Sequence, residues 1–147
     1  MGSVLGLIPA PYMATYAASK HAIEGYSESL DHELRTRGIR VSVIEPAYTR
    51  TNFEANAPAL DSPLEEYAVA RKALAKLVKA AVEGGDDPKV VAQVVLKAAT
   101  AKHPKVRYAA GKLACRLSFL RRFAPAALVD KGIRQEMKLD ALDTILN

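Results

Sequence analysis

Residues 15–46 read TYAASKHAIEGYSESLDHELRTRGIRVSVIEP, and this stretch decides the fold. In Thr15 to Arg37, Ile23, Leu30 and Leu34 recur at helical spacing, with the small residues Ala18 and Ala22 nearby. Arg35 and Arg37 fall in the last turn, where cations complement the helix dipole. Gly38 is the stop signal. Arg40 to Glu45 then alternates and is rich in β-branched residues, which predicts a strand ended by Pro46. Helix alternating with strand argues for a layered α/β fold with parallel strands.

Upstream, Gly2 to Ile8 is small and apolar, and Pro9-Ala10-Pro11 then forces extended or turn backbone. This predicts the end of a strand running into a loop. Downstream, residues 52–61 read as loop. Ser62-Pro63-Leu64-Glu65 has the pattern of a capping box. The helix it would start runs to about Val82 on Leu64, Tyr67, Leu74, Leu77 and Val78, and Gly84-Gly85 stops it. Asp87-Pro88 opens another helix, with Val90, Val91, Val94, Val95 and Ala98 predicted inward. Lys105 to Ala109 is a short strand candidate. Gly111 leads to a basic amphipathic helix over 112–123, Pro125 breaks it, and a last helix covers about 126–138. Two strands and one strand end are few for a parallel sheet covered on both faces, so further strands are expected upstream of Gly2.

The 147 residues suit one domain, and half of them are apolar. One cysteine, Cys115, rules out an internal disulfide and fits a reducing compartment, hence an expected cytoplasmic location. No stretch has the pattern of a membrane span or a signal peptide. The net charge is +5, and residues 112–138 account for all of it: Lys112, Arg116, Arg121, Arg122, Lys131, Arg134 and Lys138 against Asp130 and Glu136. Such a run reads first as a solvated helix face, ahead of a nucleic-acid or membrane surface. His21, His32 and His103 have no metal-ligand spacing, so no metal is expected. Asp86-Asp87 reads as a helix start, and Cys115 as a small packed hydrophobe.

Tyr16 and Lys20, four apart, share one helix face. A free phenol titrates near pH ~10 and is a poor acid or base at neutrality, but a neighbouring ammonium favours its phenolate. With a hydroxyl such as Ser3 to hold a substrate oxygen, these are the parts needed to exchange a proton with an alcohol oxygen while hydride moves at carbon. A bare Tyr-x-x-x-Lys is weak, since any Tyr has Lys at a fixed offset roughly one time in fifteen. The context strengthens it: Ser3 lies thirteen residues before Tyr16, Tyr16-Ala-Ala-Ser-Lys20-His-Ala-Ile-Glu-Gly25 follows, and then come Gly38-Ile39-Arg40-Val41 and Ile44-Glu45-Pro46-Ala47-Tyr48-Thr49-Arg50-Thr51.

In that order these motifs resemble the short-chain dehydrogenase/reductases, in the branch with bacterial oxidoreductases and hydroxysteroid and retinol dehydrogenases. The resemblance is close over 3–53 and looser at Asp87-Pro88, Val91-Ala92 and the basic C-terminal segment. It implies the C-terminal half of a Rossmann-like doubly wound parallel sheet over residues 1–111, with the N-terminal dinucleotide-binding half absent and a basic helical extension over 112–147. It implies Tyr16 as proton donor or acceptor, and Lys20 as ligand of the nicotinamide ribose and support for the phenolate. It implies Ser3 as the group that orients the substrate oxygen, and Pro46, Ala47, Thr49 and Thr51 beside the nicotinamide of NAD or NADP. Ala47 departs from the family's usual Gly, and the eight glycines nowhere fit a pyrophosphate-binding turn.

The implied reaction interconverts a hydrophobic alcohol and its ketone or aldehyde, with Leu7, Ile8, Pro9, Pro11, Tyr48 and Phe53 as candidate lining. The resemblance also implies a homo-oligomer of the full-length protein, packed through the 15–37 helix at Ala17, Ala18, Ala22 and Gly25. Two alternatives stand beside this. One is a non-enzymatic remnant or interaction module unable to bind cofactor. The other is a membrane-surface or nucleic-acid binder using 112–138.

Overall fold

The structure, a computed structural model, describes residues 1–53, 56 and 62–139. Among them are two strands, β1 (Val43–Pro46) and β2 (Arg107–Ala110), and five helices: α1 (Ala14–Arg35), α2 (Ala68–Glu83), α3 (Pro88–Thr100), α4 (Lys112–Phe123) and α5 (Ala126–Glu136). β1 and β2 are parallel, in the register Val43↔Arg107 to Pro46↔Ala110. The α/β class with parallel pairing is therefore as the sequence indicates. Single 3-10 turns lie at Val4–Gly6 and Glu65–Tyr67.

The sheet's two faces differ in kind. Ile44, Tyr108 and Ala110 form an apolar cluster covered by Val91, Val94 and Ala98 of α3. Pleat alternation sends Val43, Glu45 and Arg107 to the opposite face, toward α1 and the 3-10 turn at Val4–Gly6. Val95, expected inward, is 40% exposed, because only the 91/94/98 stripe of α3 meets the strands.

The helix starts show which local signals act. Asp87 caps α3, its side chain accepting from Lys89 N at 2.8 Å, with Pro88 in the first turn as expected. The capping box at Ser62–Glu65 does not form. Leu64 is extended, Glu65–Tyr67 is a 3-10 turn, and α2 starts after Tyr67 with no side-chain cap. Leu64 (62% exposed) and Tyr67 (43%) thus lie outside the inward stripe, which keeps Ala70 and Leu74. The Gly2–Ile8 segment is not strand: Gly2 N donates to Ile44 O at 2.9 Å, Ser3 is extended, and the chain then coils at Val4–Gly6. The expected loop at 52–61 lies largely outside the described residues, as do residues 140–147 of the expected C-terminal extension.

In α1 the buried positions are Ala17, Glu24 and Asp31, whereas the expected Ile23 is 38% exposed. The inward face carries charge in place of aliphatics. Asp31, fully buried, accepts from Arg40 Nε at 2.8 Å, from Val41 N at 2.9 Å and from Arg35. Those donors hold its carboxyl well below the usual carboxylate range. They also fix the approach to β1. Ala17 is buried, so it is not available at an outer helix surface, whereas Ala18, Ala22 and Gly25 are exposed.

Candidate active site

The site forms where the start of α1 meets the end of β1 and the loop that follows it. Pro11 and Tyr12 turn the chain into α1, with Met13 N donating to Ala10 O at 3.2 Å and Tyr12 in the left-handed region (φ 59°). Tyr16 and Lys20 then lie one turn apart and half-buried. Lys20 Nζ is 5.4 Å from the Tyr16 ring centroid and donates to Met1 O at 3.4 Å. Phe53 packs against the phenol, 5.7 Å between centroids.

Ser3 is 9% exposed. Its Oγ accepts from Leu5 N at 3.2 Å and so caps the 3-10 turn. Accepting uses a lone pair and leaves the hydroxyl hydrogen to donate. Ser3, Tyr16, Lys20, Pro46, Ala47, Thr49 and Thr51 all line one cleft of about 1680 Å³. The candidate catalytic and cofactor-binding residues thus share one surface. Of the expected apolar lining, Ile8, Pro9, Tyr48 and Phe53 are in the cleft wall and Leu7 and Pro11 are not. The wall also takes Val91 and Val95 from α3, Leu117 and Leu120 from α4, and Val129 and Ile133 from α5.

The loop after β1 is held by a turn that sequence reasoning treated only as a helix boundary. Asp86 N donates to Tyr48 O at 2.9 Å, Arg50 N donates to Asp86 O at 3.0 Å, and Thr49 forms a parallel bridge with Asp86. Arg50 adds a bond to Gly85 O at 3.1 Å and an ion pair with Asp87. A Cβ on Gly85 would lie 2.7 Å from Tyr48 O, so this close approach requires glycine. Thr49 Oγ1 donates to Ala47 O at 3.3 Å, and Thr51 Oγ1 accepts from Phe53 N at 3.3 Å.

Beneath the Gly2–Gly6 segment lies a charged cluster that sequence reading also missed. Glu24 and Glu45 are 4% and 2% exposed. Arg107 Nε donates to Glu24 Oε2 at 2.9 Å and lies 3.3 Å from Glu45 Oε1, while its Nη1 pairs with Glu28 at 3.0 Å. Burial pushes the Glu45 carboxyl up to about 7, and the neighbouring Glu24 carboxylate adds to the push against the pull of Arg107. A signal existed: Tyr16, Lys20 and Glu24 recur at every fourth residue. His21 and Asp86, by contrast, remain what their contacts suggest. His21 is exposed and its Nδ1–H donates to Ala17 O at 2.9 Å, and Asp86 serves the loop through its backbone.

The chemistry of this lining suits a nicotinamide riboside: an ammonium, a phenol and the hydroxyls of Thr49 and Thr51 share the cleft. Among the described residues, no glycine-rich turn opens a helix as a pyrophosphate cradle.

The family model for short chain dehydrogenases matches residues 1–61. The uncharacterized oxidoreductase YbbO of Escherichia coli K12 is 35% identical over 131 residues, 88% of this chain and 45% of that protein. The uncharacterized oxidoreductase YusZ of Bacillus subtilis 168 is 38% identical over 120 residues, 76% of this chain and 42% of YusZ. Dehydrogenase/reductase SDR family member 7B of Danio rerio is 39% identical over 106 residues, 72% of this chain and 31% of that protein. The chain spans less than half the length of these relatives. Over the part that these matches cover, the chain belongs to the short-chain dehydrogenase family.

Proposed function

We propose that this chain carries the substrate and nicotinamide side of an NAD- or NADP-dependent oxidoreductase that interconverts a hydrophobic alcohol and its ketone or aldehyde. The observation that carries the reading is that Tyr16, Lys20, Ser3 and the Pro46–Thr51 loop line one cleft whose remaining wall is largely aliphatic. Tyr16 Oη gives its proton to the carbonyl oxygen in reduction and takes it back in oxidation. Lys20 stands over the phenol and would hold the ribose hydroxyls. Ser3 donates to the substrate oxygen and orients it. Ala47, Thr49 and Thr51 would hold the carboxamide, and a nicotinamide bound there would supply or accept the hydride at the substrate carbon.

We further propose that residues 1–111 form the C-terminal half of the Rossmann-like domain and that 112–147 extend it. A glycine-rich turn outside these 147 residues holds the pyrophosphate, a reading supported by the glycine spacing here and by the greater length of the relatives. The full-length protein is cytoplasmic and self-associates through the exposed Ala18, Ala22 and Gly25 of α1. No helix among the described residues is long and apolar enough to cross a membrane. The test of the site is Tyr16→Phe in the full-length protein. The ring stays and the exchangeable proton goes, so turnover falls at least about a hundred-fold while cofactor affinity holds. Substantial residual turnover at neutral pH refutes the assignment.

A further inference from the structure

We infer that Glu24 is a positioning residue for Ser3: it is the floor on which the Gly2–Gly6 segment rests, and Arg107 and Glu45 hold that floor in place. The inference rests on the proposed role of Ser3.

Contact comes first. A Cβ on Gly2 would lie 2.5 Å from Val43 Cγ1 and 2.6 Å from Glu24 Oε1, and one on Gly6 would lie 2.9 Å from Glu24 Cγ and 3.0 Å from Lys20 O. The segment therefore touches this one side chain on both sides of Ser3, at two places where only hydrogen fits. The second point is register. Glu24 stands on the stripe of α1 that carries Tyr16 and Lys20, so whatever rests on it is fixed relative to the phenol and the ammonium. The third is cost. A purely space-filling floor would be aliphatic, since a buried carboxylate is expensive without partners. Glu24 instead anchors through Oε2 to Arg107 of β2, which ties the floor to the sheet.

Every charged group facing the floor can be named. α1 supplies Glu28, and also Lys20, which is turned to Met1 O; β1 supplies Glu45 and β2 supplies Arg107. From α4 come the Ser118 hydroxyl and Arg121, whose Nε donates to Leu7 O at 2.9 Å, and the 3-10 segment contributes nothing ionisable. Two buried carboxyls thus share one guanidinium, and Glu24 Oε1 and Glu45 Oε1 are both buried without a hydrogen-bond partner. A proton on Glu45 relieves the crowding; as it is lost on the rise toward neutral pH the second charge appears, and the floor loosens.

The test has two arms. In the 147-residue chain, amide hydrogen exchange reads the Leu5, Gly6 and Leu7 N–H groups, bonded to Ser3 Oγ, Ser3 O and Val4 O. Glu24→Ala should speed these about ten-fold while Val43 N, bonded to Val106 O, changes less than about two-fold, and the isosteric Glu24→Gln should restore protection. Should Glu24→Ala not fold, the wild-type chain and Glu45→Gln still decide. Exchange at Leu5–Leu7, corrected for intrinsic rate, should rise between pH 6 and 8 in the first and stay flat in the second. Unchanged protection in Glu24→Ala, equal loss at Val43, or no pH effect overturns the inference. In the full-length protein, the kcat losses of Glu24→Ala and Ser3→Ala should be non-additive, with KM for the cofactor unmoved. Additive losses overturn the link to Ser3. A full-length protein that turns over no alcohol or carbonyl overturns the catalytic reading itself, and the exchange arm then judges the floor separately.

Discussion

Lys20 stands over Tyr16, its Nζ 5.4 Å from the ring centroid, and both side chains line the cleft that Ser3 also enters. The pair is made by helix geometry alone, because residues four apart project from one face. It follows that Lys20→Met should keep the packing, through the apolar stem, and lose the chemistry. Turnover of the full-length protein should fall about a hundred-fold and cofactor binding should weaken together with it. Turnover within about two-fold of wild type in a steady-state assay contradicts the proposed role.

The legible and illegible parts of this chain divide by range. Signals acting within one turn were readable: Asp87-Pro88 starts α3, Gly38 (φ 74°) ends α1, and Tyr16 and Lys20 share a helix face, while the candidate site as a whole rested on the order of motifs and the family they resemble. What failed depended on distant partners. Ser62–Glu65 has the letters of a capping box, but the backbone at Leu64 stays extended and the 3-10 turn at Glu65–Tyr67 comes first. Ile23 fits an apolar stripe, yet Glu24 and Asp31 take the inward positions because Arg107 and Arg40 await them. No helical periodicity scores a glutamate as core, since its burial requires an arginine 83 residues away.

Asp31 gives a stability prediction with a definite sign. Its folded carboxyl is held below its ordinary value of 3.8 by Arg40, Arg35 and Val41 N. The stabilisation is therefore fully present above that value and is lost progressively below it, as pH falls through the lowered folded value. Asp31→Asn removes it at every pH. Urea midpoints at pH 7 should drop for the variant, and the gap from wild type should narrow as the pH is taken well below 3.8. A constant gap across that range contradicts the role given to the charge.

Glu45 has the opposite sign. Its folded value lies up at about 7 against 4.5 for the ordinary group, so the folded state holds the proton longer than the unfolded one. Stability then declines as pH rises from about 4.5 to about 7 and is flat above. Asp31 is already ionised throughout that window, so it does not confuse the measurement. Glu45→Gln should flatten the profile and stabilise the chain at pH 8 by on the order of 1 kcal/mol, allowing for screening at the exposed guanidinium of Arg107. Equal pH profiles for variant and wild type in thermal unfolding refute this.

Gly85→Ala tests the support of the loop after β1. The added methyl would meet Tyr48 O at 2.7 Å, and the bonds of Asp86 N and Arg50 N lie beside it. The loop must move away, at a cost of about 1–3 kcal/mol. In the full-length protein KM for the cofactor should rise, because Thr49 and Thr51 ride on this loop. Gly84→Ala is the control, since a Cβ there meets only Ala80 O at an ordinary 3.5 Å. Equal effects of the two substitutions would deny the loop its anchor.

The last prediction concerns the 147 residues by themselves. Dinucleotides are held mainly at the pyrophosphate, by a glycine-rich turn whose backbone N–H groups and helix N-terminus face the anion. The helix starts described here do not offer that arrangement. α1 follows Met13 without a side-chain cap, α2 follows Tyr67, α3 is opened by an aspartate and a proline, and α5 follows Pro125. Gly111 precedes α4, but the Asp86 carboxylate crowds it, with Oδ2 1.9 Å from where a Cβ would lie, so an anion there meets a negative charge. On the proposed reading the chain offers the nicotinamide side, Tyr16, Lys20 and the Pro46–Thr51 loop, which would orient a ring and a ribose and leave two phosphates and the adenosine in water. Calorimetric titration of the chain with NAD or NADP should therefore give a dissociation constant weaker than about 100 μM, whereas Lys20→Met should abolish even that residual signal. A constant in the low micromolar range would mean that these residues hold the pyrophosphate by some other arrangement, and the division of labour proposed for this chain would fall.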